Sequence, residues 1–179
     1  MSVLVVCTAN VCRSPLAARL LAASLSPPVE VRSAGVRALP GEPACGRAQS
    51  LTGAPFAHAA SRLEAGQVRE ASLVLGAARE HRSAAVALVP NAQRRSFTLL
   101  QAARVASWVS SRGVTAPAGL GPQERLAWWV DELDAARGDA PRGEPVDDDL
   151  PDPHQGGPRH GVVLPRLTAA VETLAAILA

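Results

Sequence analysis

The chain has 179 residues, 47% of them hydrophobic, and a formal net charge of +2. That length and apolar share predict one globular domain over residues 1–179 with a sizeable core. The near-neutral balance removes any bulk electrostatic case for nucleic acid or an anionic membrane as partner.

Three cysteines, an odd number, argue against a secreted disulfide framework. The first apolar run is short and has no basic leader, so it does not read as a signal peptide. The apolar C-terminal run contains Glu172 and reads as far short of a membrane span. A cytoplasmic location is the resulting expectation. There is no Tyr, which excludes control by tyrosine phosphorylation of the chain itself.

Ser2-Val3-Leu4-Val5-Val6 is an apolar run of the kind that makes a buried parallel strand. Leu16-Ala17-Ala18-Arg19-Leu20-Leu21-Ala22-Ala23 reads as helix, with Pro15 suited to its first turn. Between them, Cys7-Thr8-Ala9-Asn10-Val11-Cys12-Arg13-Ser14-Pro15 forms a strand-to-helix turn. Such a turn aims several backbone N–H groups, backed by the helix dipole, at one spot: an anion site. The same field favours the thiolate of a cysteine at its start. Arg13 can hold two phosphate oxygens bidentately. A thiolate, an amide nest and an arginine around a tetrahedral anion suit nucleophilic attack on phosphorus.

Residues 7–13 form a Cys-x5-Arg loop. With Asn10, Cys12 and the trailing Ser14-Pro15, placed between a strand and a helix, the nonapeptide resembles that of the low-molecular-weight protein tyrosine phosphatases. The resemblance implies Cys7 as nucleophile, Thr8, Ala9, Asn10, Val11, Cys12 and Ser14 as phosphate-loop residues, and Arg13 as the transition-state clamp. It implies a hydroxyl at Ser14 that hydrogen-bonds the thiolate, and a side chain at Asn10 that holds the loop open at positive φ. It also implies that Cys12 can form a protective disulfide with Cys7. Ala9 stands where the family usually has Gly; if that site needs positive φ, Ala costs about 1 kcal/mol. Cys45 is expected to carry no role. No metal or other cofactor is implied.

Downstream, residues 29–33 alternate as a strand, and a helix is expected over 42–51. Ser33-Ala34-Gly35 and the His58 segment resemble the family's loops at the site entrance. Leu39 is the expected pocket wall from the first of these. Residues 72–75 read as a third strand, 80–88 as a helix stopped by Pro90, 95–99 as a fourth strand and 101–109 as a helix. The alternation predicts an α/β fold: a small four-stranded parallel sheet with helices on both faces, flavodoxin- or Rossmann-like, with its site at the carboxyl ends of the strands.

Residues 110–121 read as loop and 123–137 as helix. Together with the loop that follows, 110–145 resembles an insertion into the shorter family members. Trp128 and Trp129 cannot both face inward: Trp129 is expected in the core, with Trp128 half-covered or free to dock a partner. The last helix is expected over 161–178.

A leaving phenolate needs a proton. Asp147, Asp148 and Asp149 read as a solvated loop, whereas Asp152 is held between two prolines. Asp152-Pro153-His154 resembles the family's Asp-Pro-aromatic loop, which implies Asp152 as general acid and His154 as a pocket wall. His58, His81 and His160 are expected to be structural or superficial, with no pair at metal-binding spacing. The implied partners are a phosphorylated protein and a phosphate or other oxyanion. Three alternatives stand beside the phosphotyrosine reading. An arsenate reductase of the same fold in its thioredoxin-coupled form needs two cysteines that residues 72–90 lack. A phosphoarginine phosphatase would resemble relatives with Thr in place of Val11. The third is a non-catalytic phosphate binder.

Overall fold

The computed structural model describes residues 1–156 and 159–179. Four parallel strands form one sheet in the order β2-β1-β3-β4: β1 (Ser2–Cys7), β2 (Glu30–Gly35), β3 (Leu73–Gly76) and β4 (Ser96–Thr98). The central strand is apolar on both faces because both are covered. Val3 and Val5 point into one core with Leu73, Leu75 and Phe97. Leu4 and Val6 point into the other with Val74 and Ala34. The two-residue period of the strand sorts these side chains.

The first core is closed by α1 (Arg13–Ser24), α5 (Leu99–Ser111), α6 (Pro122–Ala136) and α7 (His160–Leu178). The second is closed by α3 (Ala65–Glu70) and α4 (Arg79–Leu88). A short α2 (Gly46–Ser50) precedes α3. The chain thus leaves β1 on one face to reach β2, then crosses on the other face to β3. The carboxyl ends of β1 and β3 are the switch point where such sheets bind ligands, and Cys7 is the last residue of β1.

Three expectations change. The second helix begins at Gly46, not 42, because Cys45 is extended and caps it, its Sγ accepting from the Ala48 N–H. The three aspartates are not a loose solvated run. Asp149 accepts from the Arg79 backbone N–H (2.8 Å) and guanidinium (2.8 Å), Asp148 from Arg104 (2.9 Å), and Asp147 from the Glu144 N–H (2.9 Å). Burial would raise the Asp149 carboxyl, but the Arg79 bonds outweigh it and hold it below the usual range.

Third, α7 is long and apolar enough to cross a membrane, with a mean hydropathy of 1.6. Here it is a core helix: Leu167, Val171, Leu174 and Leu178 are buried against the elements of the first core. Trp129 is buried, and half-buried Trp128 stacks edge-on against it at 4.8 Å, the half-covered arrangement.

Candidate active site

Residues 7–13 wrap around the sulfur of Cys7. Its Sγ lies 3.0 Å from Ser14 Oγ and accepts from the Asn10 N–H at 3.3 Å. Asn10 is the only non-glycine residue with positive φ among those described (57°), so Ala9 carries no such strain. The Asn10 side chain is fully used: Nδ2 donates to Ser14 Oγ (2.8 Å) and Ser33 Oγ (2.9 Å), and Oδ1 accepts from the Ser61 N–H (2.8 Å). With one acceptor site of Ser14 filled by Asn10, its single hydroxyl proton can go to Cys7 at 3.0 Å or to the Ala34 carbonyl at 3.4 Å. The shorter contact, to a sulfur that attracts a proton, is the better one.

The loop is buttressed from outside. His58 Nε2 donates to the Asn10 carbonyl (2.6 Å), the Arg37 N–H to the Thr8 carbonyl (2.8 Å), and the Cys45 N–H to the Val11 carbonyl (2.6 Å). Gly35 lies directly beneath. A Cβ there would sit 2.7 Å from Thr8 O and 2.8 Å from Asn10 N, so only glycine lets the loop close on β2.

Arg13 is 3% exposed. It donates to the Leu150 carbonyl (2.7 Å), to Thr8 Oγ1 (3.0 Å) and to Asp152 Oδ2 (2.6 Å). The segment carrying Asp152 is pinned over the strand ends by a bond from the Leu150 N–H to the Ala77 carbonyl (2.8 Å) and by the Arg79–Asp149 and Arg104–Asp148 pairs. Asp152 Oδ1 in turn accepts from the His154 N–H (3.0 Å). The structure thus gathers Cys7, Ala9, Val11, Cys12, Arg13, Asp152 and His154 around one cavity of about 50 Å³. A cavity of about 500 Å³ lies between α2 and the start of α7, but no cysteine or carboxylate lines it. In the smaller one the sulfur, the guanidinium and the carboxylate meet. Leu39 is exposed on the loop after β2, outside the cavity walls.

His81, expected only to be structural or superficial, is wholly buried behind the loop, with Nε2 2.9 Å from Thr8 Oγ1. Burial first, and the Arg13 charge second, push its pKa down to about 4. The ring is therefore neutral near pH 7, and its 3.3 Å contact with Glu80 is not an ion pair there. The unfolded chain takes up this proton below about pH 6.5, the folded one only below about 4. Stability present above pH 6.5 is lost as pH falls through that window, by roughly 3 kcal/mol in all. Urea melts should show a steeper loss between pH 6.5 and 4 for wild type than for His81→Gln; equal slopes would remove His81 from the account.

No pair among His58, His81 and His160 has metal-binding spacing in the sequence, but the fold brings His160 beside His154 and two cysteines. Cys12, Cys45, His154 and His160 converge, their donor atoms all within 4.8 Å of one another. Cys45 caps α2 through its sulfur, and Cys12 Sγ lies within 4.8 Å of Cys45 Sγ, where a role as partner of Cys7 was expected. The neighbouring Cys12, the Ala48 N–H and the two imidazoles outweigh burial and hold the Cys45 thiol well below its ordinary range; the same pairing raises Cys12. The cluster escapes sequence reading because its members come from four separate stretches.

Comparison with known proteins agrees with this geometry. Residues 2–134 match the family described as low molecular weight phosphotyrosine protein phosphatase. The chain is 40% identical over 102 residues to a protein-arginine-phosphatase of Geobacillus stearothermophilus, covering 55% of this chain and 69% of the relative. It is 33% identical over 120 residues to the low molecular weight protein-tyrosine-phosphatase Etp of Escherichia coli K12, covering 65% and 76%. Among solved structures it resembles the YwlE arginine phosphatase of G. stearothermophilus, with a TM-score of 0.58, 28% identity, and 98% and 90% of the two chains covered. It shares the fold of the tyrosine phosphatase Wzb of E. coli K30 in complex with phosphate, with a TM-score of 0.66, 22% identity, and 99% and 92% covered. The chain belongs to the low molecular weight phosphotyrosine protein phosphatase family.

Proposed function

We propose that this chain hydrolyses phosphotyrosine-type monoesters on proteins through a cysteinyl-phosphate intermediate. The observation that carries the reading is Cys7 Sγ, held by Ser14 Oγ and the Asn10 N–H in a cavity whose other walls include Arg13 and Asp152. The Cys7 thiolate attacks phosphorus in line, forming the S–P bond as the P–O bond to the phenol breaks. Arg13 and the amides of residues 8–13 bind the equatorial oxygens. Asp152, protonated at this step, gives its proton to the leaving oxygen, then takes one from the water that attacks the intermediate. Ser14 stabilises the thiolate as it leaves. Arg13 holds Asp152 over the loop before substrate arrives; the entering phosphate competes for that guanidinium and frees the carboxyl for its proton-transfer role.

The whole chain acts as one phosphatase unit. Residues 110–145 form a helical insertion within it whose Leu126, Trp129 and Leu133 are buried in the first core. Three free cysteines suit a reducing, cytoplasmic setting.

A phosphoarginine substrate is the second reading, favoured by the 40% identity to the Geobacillus enzyme. The lining by the apolar Ala9 and Val11 and by the His154 ring suits a phenyl ring better than a guanidinium. Side-by-side hydrolysis of a phosphotyrosine peptide and a phosphoarginine peptide decides. We expect kcat/KM at least ~10-fold higher for phosphotyrosine; the reverse order would establish the arginine reading.

A further inference from the structure

Four side chains from four stretches meet beside the reaction cavity: Cys12 at the end of the phosphate loop, Cys45 capping α2, His154 two residues after Asp152, and His160, the first residue of α7. The imidazole nitrogens His154 Nε2 and His160 Nε2 are 3.2 Å apart, with the rings nearly perpendicular (88°). Cys45 Sγ is 3.9 Å from His160 Nε2, and all four donor atoms lie within 4.8 Å of one another. A tetrahedral zinc ion with bonds of about 2.3 Å to sulfur and about 2.0–2.1 Å to nitrogen places nitrogen pairs roughly 3.3 Å apart and sulfur–nitrogen pairs roughly 3.6 Å apart. Two of the six donor pairs stand close to these separations, and the other four lie within 4.8 Å. Two sulfurs with two imidazoles suit zinc over the hard cations.

We propose that Cys12, Cys45, His154 and His160 form a closed Cys2His2 site for a zinc ion. Four protein ligands fill the coordination sphere, so the site is structural, with no position open for a reacting water. Binding displaces the thiol protons to solvent and involves no redox change. The ion ties the phosphate loop at Cys12 to the Asp152 loop at His154. It also occupies Cys12, so a zinc-loaded chain cannot use that thiol to form a disulfide with Cys7.

The test uses the full chain, reduced and stripped of metal with a chelator, then titrated with Zn²⁺ against a chromophoric competitor and separately with Co²⁺. Wild type should take up one ion per chain. The cobalt form should show thiolate charge-transfer bands and the intense d–d bands of a tetrahedral site. Cys7→Ser should bind as wild type does. Cys45→Ser and His160→Gln should each weaken binding at least ~100-fold. Zn²⁺ should raise the wild-type melting temperature but not that of either variant. The readouts are binding, spectra and melting, so they stand or fall apart from catalysis. The proposal is overturned if wild type binds no zinc or if its cobalt spectrum is octahedral. It is also overturned if Cys7→Ser loses the ion while Cys45→Ser keeps it, since the nucleophile would then be the ligand. Should either variant fail to fold, the spectra of wild type and Cys7→Ser still decide between these outcomes.

Discussion

Cys7→Ser should lower kcat for p-nitrophenyl phosphate by ~10⁴-fold or more while leaving the chain folded and able to bind oxyanions. The sulfur is the only atom in the cavity placed at the carboxyl end of β1 with both the Ser14 hydroxyl and the Asn10 N–H directed at it. A serine hydroxyl is not ionised at neutral pH, and the loop has no histidine in contact with position 7 to remove its proton. His58 is bonded to the Asn10 carbonyl and His81 to Thr8. Arg13 and the backbone amides remain, so phosphate or vanadate should still protect the variant against thermal unfolding. Retention of a tenth of wild-type turnover would show that another group attacks phosphorus.

Asp152→Asn should lower kcat by about 10²–10⁴-fold with phosphotyrosine, and less with p-nitrophenyl phosphate. The amide keeps the shape of the carboxyl and a carbonyl oxygen for Arg13, which donates to Oδ2 at 2.6 Å. What it lacks is a transferable proton. A tyrosine phenolate is a poor leaving group and depends on that proton; nitrophenolate leaves readily without it. The difference between the two substrates therefore separates proton transfer from simple disruption of the loop. A positional defect alone would slow both substrates alike. Equal losses would assign Asp152 to holding Arg13 and would leave the general acid elsewhere.

Much of this site was legible in the chain because its parts are local. An apolar run, a nonapeptide and a helix are contiguous, so β1, the loop and α1 follow from residues 2–24 alone. The alternating character of the later segments was enough for a parallel sheet with its site at the carboxyl ends of the strands. Asp152 stood out because prolines flank it. The elements that went wrong did so for lack of tertiary information. Cys45 is a helix cap through its sulfur, which propensity does not anticipate, so α2 was expected too early. Asp147, Asp148 and Asp149 look solvated until the Glu144 N–H, Arg104 and Arg79 are brought against them. The α7 hydropathy is that of a core stripe, and composition cannot tell such a stripe from a membrane span. His81 and the Cys12–Cys45–His154–His160 cluster depend on pairings across the whole chain, which no local spacing announces.

The most direct test of the central claim is to catch the intermediate. Enzyme turning over p-nitrophenyl phosphate with chelator present is stopped by rapid denaturation, and the peptide containing Cys7 is examined by mass spectrometry. A phosphoryl group on Cys7 in wild type, absent without substrate and absent in Cys7→Ser, is the predicted result. Steady turnover with Cys7 never phosphorylated would contradict the cysteinyl-phosphate mechanism.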